Sequence, residues 1–214
     1  MKKQYITASI ITAIFWLTIL TACHDTDKKK EEITSKKDTP ANNESTSTPK
    51  RPPIINIVDT ISVKTLVLCM KDSVANSERI GIKIREIHTV KLANIITKYK
   101  LKVSGPPMAW YKSHKAPFFF EAGLPVDKSP GKLPKGFYIK EIGVDSVVVA
   151  HFTGPYDLMA QGYEALTDWL KGHKKLSAGA PYEIYTTDPL DKDGQPKDPY
   201  KVQTDIVFPM KNKH

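Results

Sequence analysis

Pro181-Tyr182-Glu183-Ile184-Tyr185 repeats the frame of Pro107-Met108-Ala109-Trp110-Tyr111, with Pro and Tyr in step at the two ends. A second pair keeps the same order along the chain. Glu121-Ala122-Gly123-Leu124-Pro125-Val126 sets against Asp205-Ile206-Val207-Phe208-Pro209-Met210, an acid leading each block and a Pro preceding the last apolar residue. Either match alone could be chance; two in the same order mark a duplicated unit.

Hydrophobic patterning gives both copies the same elements. Residues 61–70, rich in Val, Leu and Ile, read as a strand. Over residues 77–100 apolar side chains recur at helical spacing through Ile80, Ile84, Ile87, Leu92, Ile95, Ile96 and Tyr99, with Ser77 as the helix start. Strands follow around 107–113 and 117–125. The series then restarts. Residues 145–153, containing Val147-Val148-Val149-Ala150, form a strand that Gly154-Pro155 breaks, and Pro155 suits the first turn of a helix. Leu158, Met159, Gly162, Leu166, Trp169 and Leu170 share one face of that helix, and Gly172 stops it. Strands near 181–187 and 201–209 complete the chain, with a Pro/Asp/Lys-rich loop around 188–198 between them. The pattern predicts an α+β fold: tandem strand-helix-strand-strand modules forming a pseudo-twofold antiparallel sheet with two helices on one side. A groove between the halves is the natural ligand site, because pockets favour interfaces between modules.

The chain start has a different character. Lys2 and Lys3 precede an apolar run from about Ile6 to Leu20, short of the roughly 20 residues a comfortable membrane span needs. The run ends in Leu20-Thr21-Ala22-Cys23, which resembles the lipobox of bacterial lipoproteins, cut before a Cys that carries the lipid. An ordinary signal peptide or an uncleaved anchor are the alternatives. The expected organisation is a lipoprotein signal peptide over 1–22, a lipidated Cys23 and disordered tether over 23–53, and a folded domain over 54–214. The tether holds Lys28-Lys29-Lys30, Glu31-Glu32 and Asn42-Asn43-Glu44-Ser45-Thr46-Ser47-Thr48, almost nothing that can be buried. The expected location is the cell envelope, exported from the cytoplasm and anchored to a membrane through the N-terminal lipid. With Cys23 lipidated, Cys69 has no partner in the chain, and its setting in Leu66-Val67-Leu68-Cys69-Met70 makes it a small buried hydrophobe.

The net charge of +9 comes from 32 basic against 23 acidic residues, spread without a dense cluster. That distribution and export together argue against a nucleic-acid partner. The six His residues are scattered, no Cys/His metal pattern or phosphate loop occurs, and neither metal nor cofactor is expected. A single module of this size folds alone, so a monomer is expected.

The duplication singles out one residue. Where the first copy has Ala109, the second has Glu183. In a strand Glu183 shares a face with Tyr185, and pseudo-symmetry turns Tyr111 to the same groove. A carboxylate between aromatic walls suits a lipophilic cation, which the rings hold by area and cation–π attraction while the acid neutralises it. The alternative is a surface carboxylate capped by a nearby Lys. Trp110, Phe118, Phe120 and Tyr156 are further aromatic candidates, although strand aromatics more often pack than bind. His151 and His114 read as structural or loop residues. Glu121 and Asp205, at matching places, suggest a shared structural task such as holding a turn.

Three motifs resemble those of GyrI-like proteins: Phe152-Thr153-Gly154-Pro155-Tyr156 before an amphipathic helix, Glu121-Ala122-Gly123-Leu124-Pro125-Val126, and Ala180-Pro181-Tyr182-Glu183-Ile184-Tyr185-Thr186-Thr187-Asp188-Pro189. The resemblance covers roughly residues 60–211. It implies the GyrI-like effector-binding fold, with the acid matching Glu183 at the centre of a small-molecule pocket. It also implies either a binding module for an amphipathic aromatic or cationic molecule or a hydrolase of cyclopropane-type compounds using Glu183 with a nearby Tyr. Haem binding, as in related SOUL-type proteins, is a further option, and a protein-interaction module of the envelope is the remaining alternative. The chain is expected to depart from the family's transcription regulators, with no DNA-binding domain and with export from the cytoplasm.

Overall fold

The repeated blocks become the middle of one antiparallel sheet. The computed structural model describes residues 51–113, 115–143 and 145–212, so the readings of the signal peptide, Cys23, His114 and all but the end of the tether lie outside the described residues. In chain order the strands are β1 (Ile54–Ile61), β2 (Thr65–Val74), β3 (Met108–Tyr111), β4 (Phe118–Val126), β5 (Phe137–Ile142), β6 (Ser146–Thr153), β7 (Lys175–Ser177), β8 (Tyr182–Ile184) and β9 (Gln203–Asn212). Between β2 and β3 runs a helix made of α1 (Ile80–Glu86), a π turn (Ile87–Leu92) and α2 (Ala93–Tyr99); α3 (Met159–Gly172) follows β6.

The strand order is β1-β6-β9-β8-β3-β4-β2-β5, with β7 paired to the end of β9. Read from the two ends inward, this order is symmetric. β2, helix, β3, β4 corresponds to β6, α3, β8, β9, and the pseudo-twofold passes between β3 and β8. The duplicated modules are therefore real units of the fold. Three strands go beyond the expected six: β1 flanks β6, β5 flanks β2, and β7 extends the sheet beside β9. Edge strands bury little, and β1 has no fully buried residue, so the apolar alternation that announces a strand is weak there. The first helix begins at Ser77, as expected, with a 3-10 turn over Ser77–Arg79, and Asn76 caps it, its Oδ1 accepting from the Glu78 backbone N–H at 2.9 Å.

The link between β5 and β6 makes the sheet curl. From Ile142 to Ser146 the chain can span at most about 14 Å. In the strand order, however, β5 and β6 stand six steps apart, about 29 Å in a flat sheet. The two ends must therefore approach, and Ser62 at the end of β1 seals them: its Oγ donates to the Gly143 carbonyl at 2.9 Å and accepts from the Asp145 N–H at 2.9 Å. Inside the curl, Val67, Cys69, Met108, Trp110, Val147, Val149, Tyr182 and Val207 form one core. Cys69 is fully buried there and burial pushes its thiol up to about 12, which makes it inert packing.

The other face carries the helices. The first helix covers Leu68, Phe120, Ala122 and Leu124, and α3 covers Val148, Phe152, Ile206 and Phe208. α3 lies close because residue 162 is Gly: a Cβ there would stand 2.5 Å from Ile206 Cδ1. Among the described residues, no helix is long and apolar enough to cross a membrane.

Candidate ligand-binding site

The pseudo-twofold puts the two copies of one central position face to face. Across the β3–β8 pair, Ala109 stands directly opposite Glu183. Directly opposed Cβ atoms lie about 5 Å apart, so an acid in both copies would press two carboxyls together, and Ala109 leaves one acid with room. The same symmetry brings Tyr111 and Tyr185 together, their hydroxyls hydrogen-bonded at 2.8 Å.

Glu183 is 5% exposed and faces the helices, while its neighbour Tyr182 turns into the curl. From α3, Tyr163 donates its hydroxyl to Glu183 Oε1 at 2.8 Å, its ring braced on Phe208 with centroids 5.8 Å apart. Burial raises the Glu183 carboxyl above the ordinary carboxylate range, against the opposing pull of hydrogen bonds from Tyr163, Tyr185 and Tyr111. Burial likewise lifts the phenols of Tyr111 and Tyr185 well above their usual range, with the Glu183 charge adding to it.

Glu183, Tyr111 and Tyr185 floor a cavity of about 1080 Å³ between the start of the first helix and the turn that leads into α3. Ile80, Ile84 and His88 wall one side, Tyr156 and Met159 the other. His88 lies in the π turn, a distortion that recurs at functional sites. Its Nε2 donates to the Met108 carbonyl at 3.2 Å, and burial lowers its pKa to about 4, so it lines the wall as a neutral ring. The rim carries Glu78, Asp157 and Asp188. Among the described residues lining the cavity Arg85 is the one cation, and it is bonded to Asp188 Oδ1 at 3.1 Å. A second cavity of about 370 Å³ opens on the curled face, and Tyr182 is its sole ionisable lining group among the described residues.

Of the six side chains expected at the site, Glu183, Tyr185, Tyr111 and Tyr156 line the cavity, and two do not. Trp110 lies inside the curl, 5.5 Å from the Tyr182 ring centroid, with Lys140 Nζ 4.1 Å above its own ring. Strand alternation forces this, since Tyr111 next to it faces the helices. Phe120 shares the helix face, opposite Tyr111, but is 1% exposed beneath the first helix and serves as core. Phe118 is also outside the lining. Tyr163 was not among the expected residues; its place on the buried stripe of α3, four residues after Met159, is the signal that could have found it.

Glu121 and Asp205 hold no turns. Both stand mid-strand, each centred in a polar cluster. Asp205 Oδ1 accepts from His151 Nδ1 at 2.8 Å and Gln203 Nε2 at 3.0 Å. Glu121, 4% exposed, is bonded to Lys140 and, at 2.8 Å, to Lys112. Burial would raise its pKa, but those lysines overcome it and hold the carboxyl at about 2. A pKa depressed by folding contributes stability above the unfolded value, near 4.5, and loses it as pH falls through about 2. Glu121→Gln is expected to lose about 2–3 kcal/mol at neutral pH and almost none near pH 2, read by denaturant melts across that range.

A family profile described as GyrI-like small molecule binding domain matches residues 66–211. No curated protein sequence matches the chain. Among solved structures, the C-terminal domain of EcmrR superposes with a TM-score of 0.61 at 17% identity, covering 75% of this chain and 99% of that domain. The EcmrR chain in a DNA complex gives a TM-score of 0.61 at 18% identity over 74% of this chain. This chain spans 58% of that longer one, and the likeness is one of fold alone.

Proposed function

The chain belongs to the GyrI-like small-molecule-binding domain family, and from that premise we propose that it is an envelope-anchored receptor for an amphipathic aromatic or cationic small molecule. One observation carries this reading. A single buried carboxyl, ringed by tyrosine hydroxyls, floors a largely apolar cavity of about 1080 Å³. Aromatic walls take up the apolar body of such a ligand, and Glu183 meets its charge. The exposed Ile82 and Tyr156 at the mouth supply apolar surface for the part of the ligand left outside. The testing experiment is a thermal-shift screen of lipophilic cations, aromatic amines and neutral hydrophobes. A ligand at 100 times its Kd stabilises by about 2.7 kcal/mol. A blank across all three classes, with the protein folded, sinks the reading.

A second reading is supported by the same contacts. Glu183 beside the Tyr111–Tyr185 hydroxyl pair has the parts of a general base and a proton relay, suited to hydrolysis of strained, cyclopropane-type compounds. Product formation that stops in Glu183→Gln separates it from simple capture.

The envelope assignment rests on the Leu20-Thr21-Ala22-Cys23 pattern, which places a lipid on Cys23 and leaves residues 23–53 as a tether for a monomeric domain. Cys23→Ser is expected to move the protein from the membrane to the soluble fraction. A variant that stays membrane-bound removes the lipid anchor from the proposal.

A further inference from the structure

Glu183 is a buried acid with no charged base paired to it among the described residues that line its cavity. The groups that face it can be named element by element. Tyr111 comes from β3, Tyr185 from the segment after β8, Tyr163 from α3, and Tyr156 and Asp157 from the turn before α3. On the first helix His88, Arg85 and Glu78 line the same cavity, and Asp188 closes the rim. The three phenols bonded to Glu183 are neutral, because burial holds them above their usual range. His88 is neutral above about 4. Arg85, the remaining cation among the described lining residues, is engaged by Asp188. The other charges around the cavity are acids, which also oppose a second negative charge at its floor.

Building on the small-molecule reading above, we propose that capture at this site exchanges a cation for a proton: Glu183 stands as the neutral acid in the free protein and releases its proton to solvent when a ligand cation settles against it. The balance is simple: the O–H bond of the carboxyl breaks, the proton leaves to bulk water or buffer, and the carboxylate pairs with the ligand's charge.

The tyrosine cage is built for either state. A phenol both donates and accepts, so its hydrogen can turn without movement of the ring. With Glu183 neutral, Tyr163 donates to Oε1 and the acid's own O–H is accepted within the Tyr111–Tyr185 pair. With Glu183 ionised, Tyr163 still donates and the pair turns to supply a second donor, its other hydrogen staying between Tyr111 and Tyr185. The low-dielectric floor thus holds the proton until a positive charge replaces it, and the hydroxyls smooth the change. The exchange also discriminates: a neutral hydrophobe meets a neutral floor and displaces nothing.

Tetraphenylphosphonium is a suitable probe because it is permanently charged and carries no titratable proton. Its binding to the full chain would be followed by calorimetry in two buffers of different ionisation enthalpy, from about pH 4.5 to about pH 9. The expected result is close to one proton released per cation below the Glu183 midpoint. Affinity should rise about tenfold per pH unit there and flatten above it. Glu183→Gln should leave only residual, pH-flat binding with no proton release. Tyr163→Phe, which removes one donor to the carboxylate, should move the midpoint to higher pH, a shift that a purely structural role would not produce. Binding to the wild type with no proton release and a flat pH profile overturns the exchange and leaves the receptor reading standing. Release that persists in Glu183→Gln also overturns it, since the proton then has another source. Failure of the cation to bind at any pH removes the cationic-ligand reading and the exchange together.

Discussion

Glu183→Gln is expected to weaken a lipophilic cation in this cavity by about 30- to 1000-fold at alkaline pH, with little effect on an uncharged ligand of the same shape. Truncating one partner of a buried charge pair removes roughly 2–4 kcal/mol, and each 1.4 kcal/mol is a factor of ten. Gln keeps the shape of Glu183 and can still accept from Tyr163, so the cage should survive the change. Phenyltrimethylammonium and tert-butylbenzene form a matched pair, alike in shape and different in charge. The cation should lose most of its affinity in the variant, and the hydrocarbon should lose almost none. On lowering the pH the two proteins should converge, because the wild-type acid then carries a proton and is as neutral as the amide. Equal losses for both ligands would mean that Glu183 supports the walls of the cavity and does not recognise charge.

How much of this site was legible in the sequence depends on which distances decide it. Ala109 against Glu183 was visible because a repeat compares two copies of one position, and the observed register places those copies opposite each other. Tyr111 and Tyr185 follow from the same comparison. Trp110 was excluded in principle by parity, since it alternates with Tyr111 along β3. Phe120 was not: it shares the face of Tyr111, and only the depth of the first helix over β4 turns it from lining into core. Tyr163 reaches Glu183 from an element twenty residues away in sequence, through an approach that Gly162 permits; the helical stripe turns it toward the sheet, but its partner there is set by long-range packing. The curl of the sheet was hidden for the same reason. It follows from the short β5–β6 link only when the strand order is known, and the order depends on long-range pairing.

That dependence of the site on α3 leads to the largest expected loss of stability. Phe152 is fully buried on β6, in the core that α3 covers, and its ring lies 3.3 Å from where a Cβ on Gly162 would be. Phe152→Ala removes the ring and leaves a cavity that strands on both sides prevent from collapsing, a change that typically costs about 3–5 kcal/mol. Against a total stability of about 5–15 kcal/mol, this is a large share, and in a domain of this size it corresponds to a fall in Tm of roughly 6–20 °C. Leu176→Ala, at a position 42% exposed on β7, should change stability by no more than about 0.5 kcal/mol. The comparison also reports on the site, because Phe152 supports the turn of α3 that carries Tyr163. If enough folded Phe152→Ala remains, its cation affinity should drop alongside its stability even though the ring touches no ligand. A variant that melts like Leu176→Ala would mean that α3 does not close on β6 through Gly162. Tyr163 would then lack the support that holds its hydroxyl on Glu183.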